Sequence, residues 1–321
     1  MSYPLDDPGR PSPLTEPWVD TYHVQHAPRK FRNRLWLHVT LFLVTLLFTT
    51  AVGTLHYHSF ISEFGRRAVP ITWGSLIDGL WYSLTLLAIL GAHEMGHYYF
   101  CRRYDVDATL PYFIPAPIPL TGTLGAVIKI REAFPSRTIL FDIGVGGPIA
   151  GFIVLVPALF IGMSMSSVVP VPTGAGVFYM GEPVLFQWVA ALFFGTVPAN
   201  QTINIHPMVF AAWFGMLATA LNLLPFGQLD GGHITYATLG RWSAPISMAT
   251  VATAIVMTYN SSSWMFMTLM MLVMLVLLGP RHPRVIREDE PLAPGRRLVA
   301  VLALIIFMLC FTPVPIDTLI Q

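Results

Sequence analysis

His93, Glu94 and His97 are the residues of this chain whose types and spacing most directly allow chemistry. On a helix, positions i and i+4 share one face, so His93 and His97 can hold one metal ion between them. Glu94 stands beside them and can take a proton from a water that the ion acidifies. Zinc lowers the pKa of such a water to about 7. By composition alone, about 0.007 chance matches to H-E-x-x-H are expected in a chain like this one. The bland reading is a helix with two histidines turned toward a neighbour. Two histidines and a glutamate are costly to bury in an apolar helix, which weighs against it.

A catalytic zinc keeps three protein ligands and one open position. Asp230 is the best candidate for the third ligand. It follows an apolar helix broken by Pro225 and Gly227, so it stands just past an unwound helix end. The plain alternative is a turn with a capping aspartate, because Asp and Gly are common turn residues. A downstream glutamate as third ligand is a weaker choice: Glu132, Glu182, Glu288 and Glu290 fall on no candidate membrane helix. His233 would fill the open position, so a supporting role suits it better than ligation. His56 and His58 read as an inert pair in an outer loop, His206 as a helix-start residue before Pro207, and Asp142 as a helix cap. The methionine-rich run from Met265 to Met274 reads as lipid-facing or packing surface. Asn200-Gln201-Thr202 and Asn260-Ser261-Ser262 match the N-glycosylation pattern, as short patterns do by chance.

The elements that must position these residues are membrane helices. Hydrophobic residues make up 54% of the chain and charged ones 11%, against roughly 25% charged in a soluble domain. Mean hydropathy is +0.62. The net charge of +1 gives no reason to expect a nucleic-acid partner. The two cysteines, Cys101 and Cys310, form neither a CxxC pair nor a disulfide framework. A spanning helix takes about 20 apolar residues. Seven candidates result: Leu35 to Leu55, Leu76 to Phe100, Ile139 to Met163, 207 to 224, Ala244 to Tyr259, Trp264 to Leu278 and Leu298 to Phe311. The expected fold is therefore all-α and polytopic. Between the second and third spans, Leu110 to Ile130 is apolar but broken by Pro111, Pro115, Pro117, Pro119, Gly122 and Gly125. Backbone of that kind is tolerated at membrane depth only inside protein or beside a wet cavity. We expect a re-entrant loop with a strand or hairpin there, and a partial or interfacial helix over 185–197.

The chain divides into a flexible Pro-rich cytoplasmic tail over 1–34, a first helix and outer loop over 35–75, a core over 76–240 and C-terminal helices over 241–321. No secretory signal is expected in the tail, which lacks an apolar core. With a cytoplasmic N-terminus and seven spans, every Lys and Arg except Arg66 and Arg67 falls on the cytoplasmic side. The C-terminus then lies outside, and a bacterial inner membrane is the expected location.

Together, His93-Glu94-Met95-Gly96-His97, Gly146-Gly147-Pro148, and Asn222-Leu223-Leu224-Pro225 followed by Leu229-Asp230-Gly231 resemble the site-2 protease family of intramembrane zinc metalloproteases (peptidase M50-like). Phe113 to Pro117, Gly125 to Ile128 and Phe141 to Gly144 look closest to a branch with plastid and cyanobacterial members, here without PDZ or CBS domains. The resemblance implies one zinc ion held by His93, His97 and Asp230, with Glu94 as general base. It implies that Asn222 positions substrate or polarises the scissile carbonyl. It also implies that the strand holding Gly125, Ala126 and Val127 pairs with an unwound segment of a membrane-anchored protein in the bilayer. Where many members carry an asparagine after the Gly-Pro, this chain has Gly151, so that role does not transfer. The rival class is a metal-binding membrane transporter or a catalytically silent scaffold, since polar residues at midplane also line ion paths. Glu94 separates the two, because a transporter has no need of it beside two ligands. Substrate identity and oligomeric state are not set by the sequence.

Overall fold

The computed structural model describes residues 30–172, 178–259, 261–279, 285–288 and 292–318. Most of the expected Pro-rich tail lies outside these. The described chain is mostly helical, and a helix stands at each of the seven expected places. They are α1 (Leu35–Ile61), α3 (Leu80–Arg103), α4 (Arg137–Ser164), α6 (Pro207–Asn222), α8 (Ser243–Met257), α9 (Ser263–Leu278) and α10 (Pro294–Cys310). Among the described residues, only α1, α4 and the stretch Trp73–Arg103 are long and apolar enough to cross a bilayer by length and composition. The 16 residues of α6 reach about 24 Å at the helical rise, short of the roughly 30 Å hydrocarbon core.

Three boundaries differ from expectation. Helix α1 runs on to Ile61, so His56 and His58 are helical and not in a loop. A short helix, α2 (Gly74–Asp78), precedes α3. The stretch after Asn222 is not all turn: α7 (Asp230–Leu239) begins at the aspartate itself. Its opening Gly231-Gly232 is a poor helix former, which hid the helix from pattern reading. The partial helix expected over 185–197 is α5 (Val184–Phe194).

Among the described residues, strands occur as three antiparallel pairs. The hairpin expected between the second and third spans is β1 (Tyr112–Pro115) with β2 (Thr123–Val127), registered Tyr112 to Val127 and Ile114 to Gly125. Beyond it, β3 (Ser167–Pro170) pairs with β5 (Gln201–Asn204), and β4 (Phe178–Met180) pairs with β6 (Ile316–Thr318). Strands of three or four residues are too short to show a period of two in sequence.

The core gathers around α3, α4 and α6, with Trp213, Leu140, Phe141, Leu155 and Leu159 among its fully buried side chains. Helices α3 and α4 pack closely because both present glycine. A Cβ on Gly96 would strike the backbone of Gly146, leaving 2.7 Å to its carbonyl carbon. Small residues at such contacts let helix backbones approach in a membrane.

Basic residues stand at the start of α1, the end of α3 and the starts of α4 and α10. Arg131 pairs with Asp107 at 3.2 Å and donates to Arg32 O at 3.0 Å. Arg296 donates to both oxygens of Asp142, at 2.8 and 2.7 Å. Asp142 is thus an ion-pair partner inside α4 and not its cap; that place is taken by Ser136, which accepts from Ile139 N. Arg66 lies elsewhere, donating to Val171 O at 2.8 Å.

Candidate active site

Helix α3 places His93 and His97 one turn apart, both buried. The Nε2 atoms of the two rings are 3.1 Å from each other. Asp230 arrives at the start of α7, with Oδ2 at 3.1 Å from His93 Nε2 and Oδ1 at 3.3 Å from His97 Nε2. Among the described residues, this is the one group of three or more His, Cys, Asp or Glu side chains spaced to hold a metal ion. The structure brings together all three ligands expected from sequence, and leaves His233 out of the set. His233 packs edge-on to Phe134, ring centroids 5.5 Å apart.

The donor set, two imidazole nitrogens and a carboxylate, suits zinc. Nitrogen ligands about 2.0–2.1 Å from a tetrahedral ion lie about 3.3–3.4 Å apart, near the 3.1 Å between the two Nε2 atoms, while the carboxylate turns a different oxygen to each ring. His97 Nδ1 is 2.7 Å from Ile143 O. A carbonyl only accepts, so Nδ1 donates, which fixes the ring and leaves Nε2 as the atom that would meet a metal.

Glycines make the geometry possible. A Cβ on Gly147 of α4 would fall on the His97 ring, 2.5 Å from Cε1. At Gly151 a Cβ would meet His93 Cβ at 3.2 Å and Nδ1 at 3.4 Å, a tight but adjustable fit. Gly231 and Gly232 let the start of α7 fold against the carbonyls of Leu223, Leu224, Phe226 and Gly227. The turn itself is made by Pro225 and by Gly227, which has a φ of +53°. This fold-back carries Asp230 to the histidines. Asn222, the last residue of α6, puts Nδ2 at 3.2 Å from His93 Nε2.

Glu94 is buried and accepts from Ile128 N at 2.9 Å, just past β2. Glu94 and His93 line a cavity of about 280 Å³ with Leu124, Gly125, Ala126, Val127, Asn222 and residues of α9. A larger cavity of about 480 Å³, bordered by His56, Glu182, Phe210 and Trp213, contains none of the three clustered ligands.

What holds the hairpin in place is not written in its own sequence. Helix α1 runs along it. His38 Nδ1 lies 3.0 Å from Pro111 O, and Phe42 meets Phe113 edge-on at 5.1 Å. Gly122, with φ +73°, has room only for hydrogen where it meets Phe48 and Thr49. At the tip, His56 Nε2 lies 3.1 Å from Leu120 O, and Tyr82 donates its hydroxyl to Thr121 O at 3.1 Å. His58 Nε2 is 2.8 Å from Val69 O. These two histidines bind backbone carbonyls of the protein. Their H-x-H spacing gave no hint of this, because both partners are distant main-chain atoms. His206 behaves as expected, capping α6 by accepting from Met208 N.

Comparison with known proteins gives a consistent set of relatives. Residues 81–272 match the model of peptidase family M50. The chain is 28% identical over 240 residues to the probable chloroplastic zinc metalloprotease EGY2 of Arabidopsis thaliana, covering 73% of this chain and 41% of that protein. To the probable chloroplastic zinc metalloprotease EGY1 of the same plant it is 32% identical over 187 residues, 56% of this chain and 31% of the relative. To the rice (subsp. indica) protein named probable zinc metalloprotease EGY3, chloroplastic, it is 29% identical over 174 residues, 50% and 29% of the two chains. The matches thus span about two fifths or less of these relatives' lengths. No solved structure matches the chain.

Proposed function

The chain belongs to peptidase family M50, the family of site-2 protease-type metalloendopeptidases, and from that premise we propose that it is a zinc endopeptidase cutting peptide bonds in or near the membrane segments of other proteins. The observation that carries this reading is the convergence of His93, His97 and Asp230 within 3.1–3.3 Å of one another beside the buried Glu94. Relatives named as zinc metalloproteases support zinc as the ion.

Two imidazoles and one carboxylate would hold the metal, the number of protein ligands that a catalytic zinc takes. When bound, zinc supplies Lewis acidity that makes water a nucleophile near neutral pH. Glu94 takes the proton of the attacking water and delivers it to the leaving amide nitrogen. Until then its carboxylate is oriented by the N–H of Ile128. Asn222 Nδ2 donates to the scissile carbonyl oxygen as negative charge develops there. Glu94 and His93 are buried on α3, and hydrogen bonds in such surroundings are stronger than in water.

A helical substrate hides its amide carbonyls, so the segment must be extended before it is cut. Strand addition along β2, at Gly125, Ala126 and Val127, would hold it so. Gly125, at φ +106°, has nothing within 4 Å of a would-be Cβ, so the backbone there is open to approach. On this reading the β1–β2 hairpin is re-entrant, the seven apolar helices all serve as spans with the bilayer thinned around the shorter ones, and the basic end of the bundle faces the cytoplasm or its plastid equivalent.

The test is reconstitution in proteoliposomes with a single-pass reporter protein. Mass spectrometry should place the cut in or beside the reporter's membrane segment. Chelation should stop the cutting and added zinc should restore it. Metal flux across the vesicle without any cleavage would favour a transporter and sink the protease reading.

A further inference from the structure

The methionines of α9 recur at Met267, Met270, Met271 and Met274, the i, i+3, i+4, i+7 spacing of one helix face. The other face, with Met265, Leu269, Val273 and Val276, is exposed. The methionine face turns inward. Met267, Met270 and Met271 line the cavity that holds His93 and Glu94, together with Leu124 to Val127 of β2. This corrects the reading of the run as lipid-facing or packing surface only: one face of it borders the candidate active site.

The wall has a distinct chemistry. Polar side chains lining the cavity among the described residues are His93, Glu94, Thr219 and Asn222, all from α3 and α6. Helix α9 contributes methionine alone, so a charged side chain laid against it finds no partner and stays unfavourably buried. Methionine is unbranched, turns about three bonds and has a polarisable sulfur, so such a wall reshapes around straight, branched or aromatic groups. Met270 keeps 41% of its surface exposed while Met271 keeps 2%. The first is free to change rotamer, and the second anchors the wall in the cluster with Leu224, Phe226 and Trp264.

We propose that Met267 and Met270 form the subsite for a large apolar side chain next to the scissile bond, tolerant of shape and closed to charge. This rests on the protease reading above. A peptide along β2 with its carbonyl at His93 and Glu94 has α9 as a wall for one of its side chains.

The experiment uses the zinc-loaded protein in proteoliposomes with reporters carrying Leu, Met, Phe or Asp at the residues flanking the mapped cut. Wild type should cut the Leu, Met and Phe reporters within a few-fold of one another, and the Asp reporter at least about tenfold less. In Met267→Val/Met270→Val, stiff β-branched side chains replace flexible ones. The Phe reporter should then fall at least about tenfold relative to Leu, while Met267→Leu/Met270→Leu shifts the ratio less. Zinc content should not change, which shows that the centre is intact. Should the double variant fail to fold, Met270→Val alone alters the exposed member and should move the ratio in the same direction. An unchanged Phe-to-Leu ratio in zinc-retaining variants would overturn the subsite. Failure of wild type to cut any reporter would instead overturn the protease reading, and the subsite with it.

Discussion

Glu94→Gln is expected to keep its zinc and to lower cleavage by about 10²–10⁴-fold, the usual contribution of a positioned general base. Glutamine has nearly the same shape and still offers Ile128 N an oxygen, so the 2.9 Å hydrogen bond and the burial have no reason to change. What is lost is the ability to take a proton. The metal should remain, because His93, His97 and Asp230 are untouched. Parallel measurement of zinc content and reporter cleavage checks both halves. A Glu94→Gln variant that still cuts at the wild-type rate would remove Glu94 from the chemistry. One that loses zinc would place Glu94 among the ligands.

Gly147→Ala is expected to weaken zinc binding at least tenfold, the scale seen when a ligand's supporting contacts are lost. It does so without removing any ligand. The new Cβ would occupy the space of the His97 ring, and that ring is already fixed from its other side by Nδ1 and Ile143 O at 2.7 Å. Either the ring leaves its place or α3 and α4 separate where Gly96 and Gly146 touch. Gly151→Ala is the control. It lies on the same helix one turn on, and its Cβ would meet His93 at 3.2 Å, which a shift of a few tenths of an ångström relieves. Metal analysis of the two purified variants should show zinc largely lost at 147 and largely kept at 151. Equal zinc in both would mean that the α3–α4 contact does not set the ligand geometry.

Much of the site was legible because its parts obey local rules. The His93–His97 spacing is a property of one helix, and Asp230 stood out by following a helix broken at Pro225 and Gly227. The hairpin was legible as apolar sequence too rich in proline and glycine to be a span. What escaped depends on distant partners. Nothing near His56 in sequence says that its ring meets Leu120 O, or that Asp142 receives Arg296 from the last described helix. The helix Asp230–Leu239 was hidden by the two glycines that its close packing requires. The methionine run showed its period but not its facing, since an apolar helix in a membrane reads alike whether it meets lipid or a cavity.

Zinc K-edge X-ray absorption on the purified, zinc-loaded protein tests the centre most directly, with Asp230→Ala measured beside it. Wild type should show four nitrogen or oxygen ligands at about 2.0–2.2 Å, two of them imidazoles, and no sulfur. Asp230→Ala should show an altered shell or lost zinc. A sulfur ligand at about 2.3 Å, or a spectrum that Asp230→Ala leaves unchanged, would contradict a His93–His97–Asp230 centre.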